Sequence, residues 1–169
     1  MRIAVIGLGC SVSLYAEGFD LTIGVNDTWR KVKTDVLVCL DKRSAFTADR
    51  LRVIDQSKPQ AFYSHIVNWD TRPDFRKIEI HPTYPDKLVR LDGPKYEKSF
   101  FSPFVAMQIA YREYHATEIH LFGIDMTNHP HLKGKLLDKI KLHFKNLCKA
   151  MTDCKIIVHG DGILKDCLQ

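Results

Sequence analysis

The stretch SPFVAMQIAYREYHATEIHLFGID, residues 102–125, decides the fold, because it reads as a buried helix, a strand and a polar strand end in succession. Ser102 stands where a helix N-cap is expected, and Pro103 occupies a first-turn position where its missing N–H costs nothing. From Phe104 to Ala110 only Gln108 is polar, so the helix has little wet surface and is expected to pack on a sheet. Glu118 to Phe122 has strand length and ends at Gly123, where the absent side chain permits close approach of backbone or ligand. Asp125 then lies just past the carboxyl end of that strand, where open α/β sheets place their binding crevice.

Outward from this block, the N-terminal run Arg2-Ile-Ala-Val-Ile-Gly7 is continuously apolar, as a central parallel strand would be. Leu8-Gly9-Cys10-Ser11-Val12 follows at once. Two glycines and a serine after a first strand suit a phosphate-cradling turn, with a flexible backbone, free N–H groups and a hydroxyl. Val12 replaces the third glycine of the dinucleotide pattern GxGxxG. A second strand, Leu21 to Asn26, ends in the pair Asn26-Asp27, with Asp27 near the distance of an NAD-type ribose contact. A third, Asp35 to Leu40, ends at Asp41. In a parallel sheet Gly7, Gly9, Asn26, Asp41 and Asp125 would line one edge together. The expected fold is α/β: a three-layer Rossmann-like single domain over residues 1–169, with a mostly parallel central sheet and helices on both faces.

Arg43 to Ser57 has helical composition, and Ala61 to His65 and Lys77 to His81 read as short or edge strands. Residues 67–98 carry Pro73, Pro82, Pro85 and Pro94 and read as an irregular lid or binding loop. Trp69, Tyr84 and Tyr96 there could stack on a base or simply pack. After Asp125 come His129 and His131, then lysine-rich residues 133–149 whose lysines oppose Leu136, Leu137, Ile140, Phe144 and Leu147, an amphipathic helix. Lys155 to Val158 reads as a last strand before a short polar tail. Asp125, His129 and His131 are suitable metal ligands by type, but their spacing matches no strong metal pattern, so no metal is assigned; a histidine beside a nucleotide site can instead serve as general base.

Composition narrows the function. At 169 residues the chain can bury a core unaided, and its 45% hydrophobic and 27% charged fractions are those of a globular chain. Net charge +5 and pI near 8.9 suit an anionic ligand while falling short of a nucleic-acid signature. The five cysteines form no CxxC pair, which argues against a zinc ribbon or a disulfide framework. With no apolar run of membrane-spanning length and no signal-peptide pattern, the expectation is a cytoplasmic protein.

Gly7-Leu-Gly9-Cys-Ser11, Gly24-Val-Asn26, Asp41, Ser102 and Glu118-Ile-His-Leu-Phe-Gly123-Ile-Asp125 together resemble bacterial CMP-sialic-acid-dependent sialyltransferases. They also resemble the related Rossmann-like 6-hydroxymethylpterin diphosphokinase-like proteins. The first resemblance implies that Gly7, Gly9 and Ser11 approach the nucleotide phosphate and ribose and that Asn26 touches the donor. It matches Asp41 to a family asparagine and Ser102 to a family serine, and it implies a catalytic histidine after the GID strand, His131 with His129 as competitor. Gly123 and Asp125 complete the implied nucleotide-sugar site. Cys10 departs from the G-x-G-P-S turn of the family, and the loop from Asp125 to the next helix is shorter than the family's lid.

The leading expectation is therefore a glycosyltransferase with a CMP-type nucleotide-sugar donor and no required cofactor. His131 would deprotonate the acceptor hydroxyl, and main-chain amides around Gly9 and Ser11 would stabilise the departing phosphate. The alternative is a diphosphotransferase using ATP and magnesium, with Asp41 and Asp125 holding the metal. A non-catalytic nucleotide- or partner-binding module of mobile-element origin is the third reading, and an NAD-dependent oxidoreductase ranks last.

Overall fold

The computed structural model describes residues 1–82, 89–98, 101–126 and 134–168. Seven strands form one all-parallel sheet: β1 (Arg2–Ile6), β2 (Leu21–Val25), β3 (Val36–Val38), β4 (Ala61–Ser64), β5 (Phe75–Lys77), β8 (Glu118–Phe122) and β9 (Lys155–Val158), in the order β5-β4-β3-β2-β1-β8-β9. β6 (Ile80–Pro82) and β7 (Tyr96–Lys98) make a separate parallel pair. The helices are α1 (Ala48–Gln56), α2 (Ser102–Arg112) and α3 (Lys135–Ala150). The expected α/β architecture is present, and no helix among the described residues is long and apolar enough to cross a membrane.

The apolar runs of β1 and β2 follow from burial on both faces, which parallel sheets require. On one face Ile3, Val5, Ile23, Val36, Val38, Ile119 and Leu121 meet the buried side of α2 and Ile140, Phe144 and Leu147 of α3. Opposite, α1 packs Ile54 against Leu37, Phe62 and Trp69. Over β1 and β8 that second face is covered by a 3-10 turn (Cys10–Leu14) and by Tyr15 and Phe19 in place of an α-helix.

Gln108, the one polar residue on the buried run of α2, is fully satisfied: its Oε1 accepts the Glu97 N–H (2.9 Å), and its Nε2 donates to the carbonyls of Glu97 (2.8 Å) and Phe104 (3.0 Å). It thereby ties β7 to α2, and its burial costs little because no polar atom is orphaned.

Several expectations need correction. The helix begins at Ser102 itself, with Phe101 in the N-cap position and no side-chain cap hydrogen bond, so Ser102 is the first helical residue rather than its cap. The strand expected at Lys77 to His81 divides: β5 stays in the main sheet, while β6 leaves it for β7. Trp69 is fully buried, with its Nε1–H donated to the Asp41 carbonyl (3.0 Å). Tyr96 is 5% exposed and bonds Glu113, so neither aromatic is a stacking platform. Tyr84 lies outside the described residues.

Candidate functional site

Strand order fixes where a ligand can enter. From β1 the chain steps outward through β2, β3, β4 and β5, then returns by α2 to β8 on the other side of β1. The loops leaving β1 and β8 therefore diverge, and the carboxyl edge between them is the topological switch point of the sheet. α2 packs on β1, β2 and β3, and residues 113–117 return the chain directly to the start of β8. The helix thus runs antiparallel to the strands and turns its first turn, with Ser102, toward that edge.

Past their last ladder residues, β1 and β8 stay joined. The Gly7 N–H donates to the Phe122 carbonyl (2.7 Å) and the Gly9 N–H to the Gly123 carbonyl (2.8 Å). The Ser11 N–H donates to Asp125 Oδ2 (2.9 Å), and Ser11 Oγ accepts the Gly123 N–H (2.8 Å). Ser11 and Asp125 are both buried, at 6% exposure each. A Cβ at Gly9 would stand 2.3 Å from Asp125 Oδ2, so glycine is a packing requirement there.

The wall opposite comes from the turn after β9. Gly160 has φ of +83°, and a Cβ on it would lie 2.6 Å from Ser11 Cβ; the Ile163 N–H donates to the Asp125 carbonyl (3.1 Å). Between the walls is a cavity of about 300 Å³, lined by Cys10, Ser11, Ser13 and Leu14 on one side and by Asp125, Gly160, Asp161 and Gly162 on the other. The 160–162 turn was not among the expected site residues. Its signal was available in Gly160-Asp161-Gly162, a glycine-flanked acid directly after an apolar strand.

Gly7, Gly9, Ser11, Gly123 and Asp125 are thus brought into direct contact. Of the main-chain amides around Gly9 and Ser11, those of Gly9 and Ser11 themselves already serve the Gly123 carbonyl and the Asp125 carboxylate. Hydroxyl hydrogens remain adjustable, and Ser11 Oγ, which accepts from Gly123, can still donate its own hydrogen.

Asn26 and Asp41 stand further along the same sheet edge. Asn26 adopts the left-handed region at φ +53°, donates its N–H to the Val38 carbonyl (3.0 Å) and keeps a buried Oδ1 without a hydrogen-bond partner. Such an orphan costs on the order of 1–3 kcal/mol and marks a place where a donor from outside would be welcome. Next to it, Asp27 is fully buried, its Oδ1 held by Arg50 (Nη2, 2.7 Å) and its Oδ2 within ion-pair distance of Arg30 (Nη1, 3.3 Å) but without a hydrogen bond among the described residues, so its burial sets it back from a ribose. The Asp41 side chain is exposed, and its carbonyl anchors Trp69.

β3 and β8 are three positions apart, roughly 14 Å at about 4.8 Å per strand, whereas one cation takes its oxygen ligands at about 2.0–2.6 Å. Strand spacing alone therefore does not bring Asp41 and Asp125 to one metal. His129 and His131 lie outside the described residues. A larger hollow, about 550 Å³, sits at the β5 side of the sheet; two of its cations are paired, Arg43 with Asp55 (2.6 Å) and Arg72 with Asp74 (2.7 Å), and Lys58 also lines it.

Neither a known family model nor a characterised protein sequence matches the chain. Solved structures do. Its fold is shared with the sialyltransferase CstII. A point variant of that alpha-2,3/8-sialyltransferase is 12% identical with a TM-score of 0.57, over 98% of this chain and 84% of that one. CstII from Campylobacter jejuni, solved in complex with the substrate analogue CMP-3FNeuAc, is 13% identical with a TM-score of 0.58, over 98% and 83% of the two chains. At this identity the likeness concerns the fold, and no diphosphokinase accompanies it.

Proposed function

We propose that the protein is a sialyltransferase-like glycosyltransferase that binds a CMP-type nucleotide sugar at the carboxyl edge of its sheet, working as a single domain. The observation that carries the reading is the switch point between β1 and β8, where a cavity, a buried serine and a buried carboxylate meet on the fold of an enzyme solved with a CMP-sugar analogue.

In this reading Gly7, Gly9 and Gly123 keep the two strand exits close enough for Ser11 and Asp125 to share one wall. The Ser11 hydroxyl and the first turn of α2 at Ser102 offer donors to the phosphate, beside the main-chain amides around Gly9 and Ser11 that are not already bonded within the protein. Hydroxyl donors and the positive end of a helix both favour an anion. Asn26 supplies its unpartnered Oδ1 to the nucleoside, with Asp41 at the outer rim. His131, or His129, would accept the proton of the acceptor hydroxyl as the glycosidic bond forms and the CMP phosphate leaves.

A thermal-shift panel of CMP, CDP, UMP, UDP, GDP, NADH and ATP with and without magnesium tests this directly. A ligand at a hundredfold over its dissociation constant adds about 2.7 kcal/mol of stability. Selective stabilisation by CMP or CDP is the expected result. Stabilisation by ATP and magnesium alone would point to phosphoryl transfer, and silence across the panel would leave a binding module without this ligand.

A further inference from the structure

β8 carries a second set of ionisable groups, on the face away from α2 and outside the cavity. The strand register places them on successive rungs: Arg2, Glu118 and Lys155 are neighbours on one rung, Ala4, His120 and Ile157 two residues further on. Ile6 pairs with Phe122, and the His159 N–H continues the ladder to the Leu121 carbonyl (3.0 Å). Glu118 Oε1 is hydrogen-bonded to His120 Nε2, and His120 Nδ1 lies 2.8 Å from His159 Nε2. The His159 ring stacks on Phe122 (centroids 4.0 Å apart, 11° between planes), and Phe19 closes on His120 edge-on (4.9 Å). Carboxylate and two imidazoles thus form one line from the start of β8 to the exit of β9, where the next residue, Gly160, packs on Ser11.

The hydrogen-bond chemistry of this line admits two states. An ionised Glu118 only accepts, so His120 carries its hydrogen on Nε2. With both rings neutral, His120 Nδ1 accepts from His159 Nε2–H, and His159 Nδ1 bears the free lone pair. A proton taken up at His159 Nδ1 is balanced by passage of the Nε2 hydrogen to His120 Nδ1. The new N–H bond at one end replaces the one broken at the centre, and the positive charge comes to rest on His120 against the Glu118 carboxylate.

We propose that Glu118, His120 and His159 form a proton relay that positions the 160–162 wall of the Ser11–Asp125 cavity, so that protonation beside Glu118 is felt at Ser11. The charged groups facing the line are Arg2 from β1 (Nε to Glu118 Oε1, 3.6 Å) and Lys155 from β9, with Tyr15 of the connecting loop against Phe122. Asp20 is engaged by the Arg2 main-chain N–H (2.7 Å). Burial and the neighbouring His120 hold the His159 imidazole below its ordinary value, and the His120 hydrogen bond does the same for the Glu118 carboxyl. These are positioning residues, since they reach the cavity through Gly160.

The test is a pH titration, from 8 to 5, of the ligand-free, nitrogen-15-labelled full chain by NMR, following imidazole nitrogens and backbone amides. The Gly160 and Ser11 amides are expected to shift with the same midpoint as the His159 ring. In Glu118→Gln that common midpoint should fall by about one pH unit, because the cation loses its counter-charge. Lys155→Met, which alters charge on the same rung without breaking the line, should move it far less. Gly160 and Ser11 midpoints indifferent to Glu118→Gln, or moved equally by Lys155→Met, would overturn the relay. Because no ligand is present, a failure of CMP to bind would sink the nucleotide reading and leave this test intact.

Discussion

Lowering the pH should destabilise the protein most through His143 of α3, the histidine with the larger lowering. Its side chain is 1% exposed, edge-on to Phe104 (5.5 Å between centroids), and its Nε2 has no hydrogen-bond partner. Burial pushes its pKa down to about 4, with Glu97 opposing weakly, against 6.5 for a free imidazole. The unfolded chain therefore takes up a proton as pH falls through 6.5, and the native state does not follow until about 4. The difference, about 2.5 pH units at about 1.36 kcal/mol each, makes roughly 3 kcal/mol of stability that is intact above pH 6.5 and lost progressively down to pH 4. Urea unfolding of the wild type and of His143→Leu at pH 7, 5.5 and 4.5 measures it. The variant removes both the titration and the orphaned nitrogen, so its stability should fall less with acid, by up to about 3 kcal/mol at the lowest pH. The lowered pKa values of His159 and Glu118 also act on acidification but are common to both proteins, so they cancel in the difference. Parallel pH profiles would refute the argument.

Three further outcomes follow from the same geometry. Gly9→Val places a Cβ 2.3 Å from Asp125 Oδ2 and 2.8 Å from the Gly123 carbonyl, and should cost about 1–3 kcal/mol in urea unfolding while abolishing nucleotide binding. Arg50→Met removes the closer cation from a fully buried Asp27; calorimetry should show a loss of about 3 kcal/mol, and Arg50→Lys should restore only part of it because the two-nitrogen grip on Oδ1 is gone. Alkylation at pH 8 should label exposed Cys10 first and spare Cys39 and Cys148, whose thiols burial pushes to about 12, as peptide mass mapping would show.

Much of the architecture was legible because parallel strands buried on both faces tend to be continuously apolar, as Ile3 to Ile6 of β1 and Val36 to Val38 of β3 are. The site was legible in part for a related reason: Gly7, Gly9, Gly123 and Asp125 follow directly on β1 and β8, so the topology alone brings them together. The 160–162 turn was missed because a three-residue polar segment looks like tail until β9 is known to lie beside β8. Asp27 misled: a strand-end acid reads as a ligand contact, but Arg50, 23 residues away, takes its Oδ1. His143 received no reading, although the helical period turns it to the core beside Phe144. Trp69 and Tyr96 lie in a proline-rich segment that reads as a loop, and long-range bonds to Asp41 and Glu113 put them inside.

The central claim is that a CMP-type ligand occupies the edge between β1 and β8. Titrating CMP into nitrogen-15-labelled protein and following the amides of Gly9, Ser11, Gly123 and Gly160 tests it most directly. Saturable shifts are expected at these four positions in the wild type and none in Gly9→Val. Absence of shifts in the wild type, or shifts confined to the Arg43 and Arg72 hollow on the far side of the sheet, would contradict it.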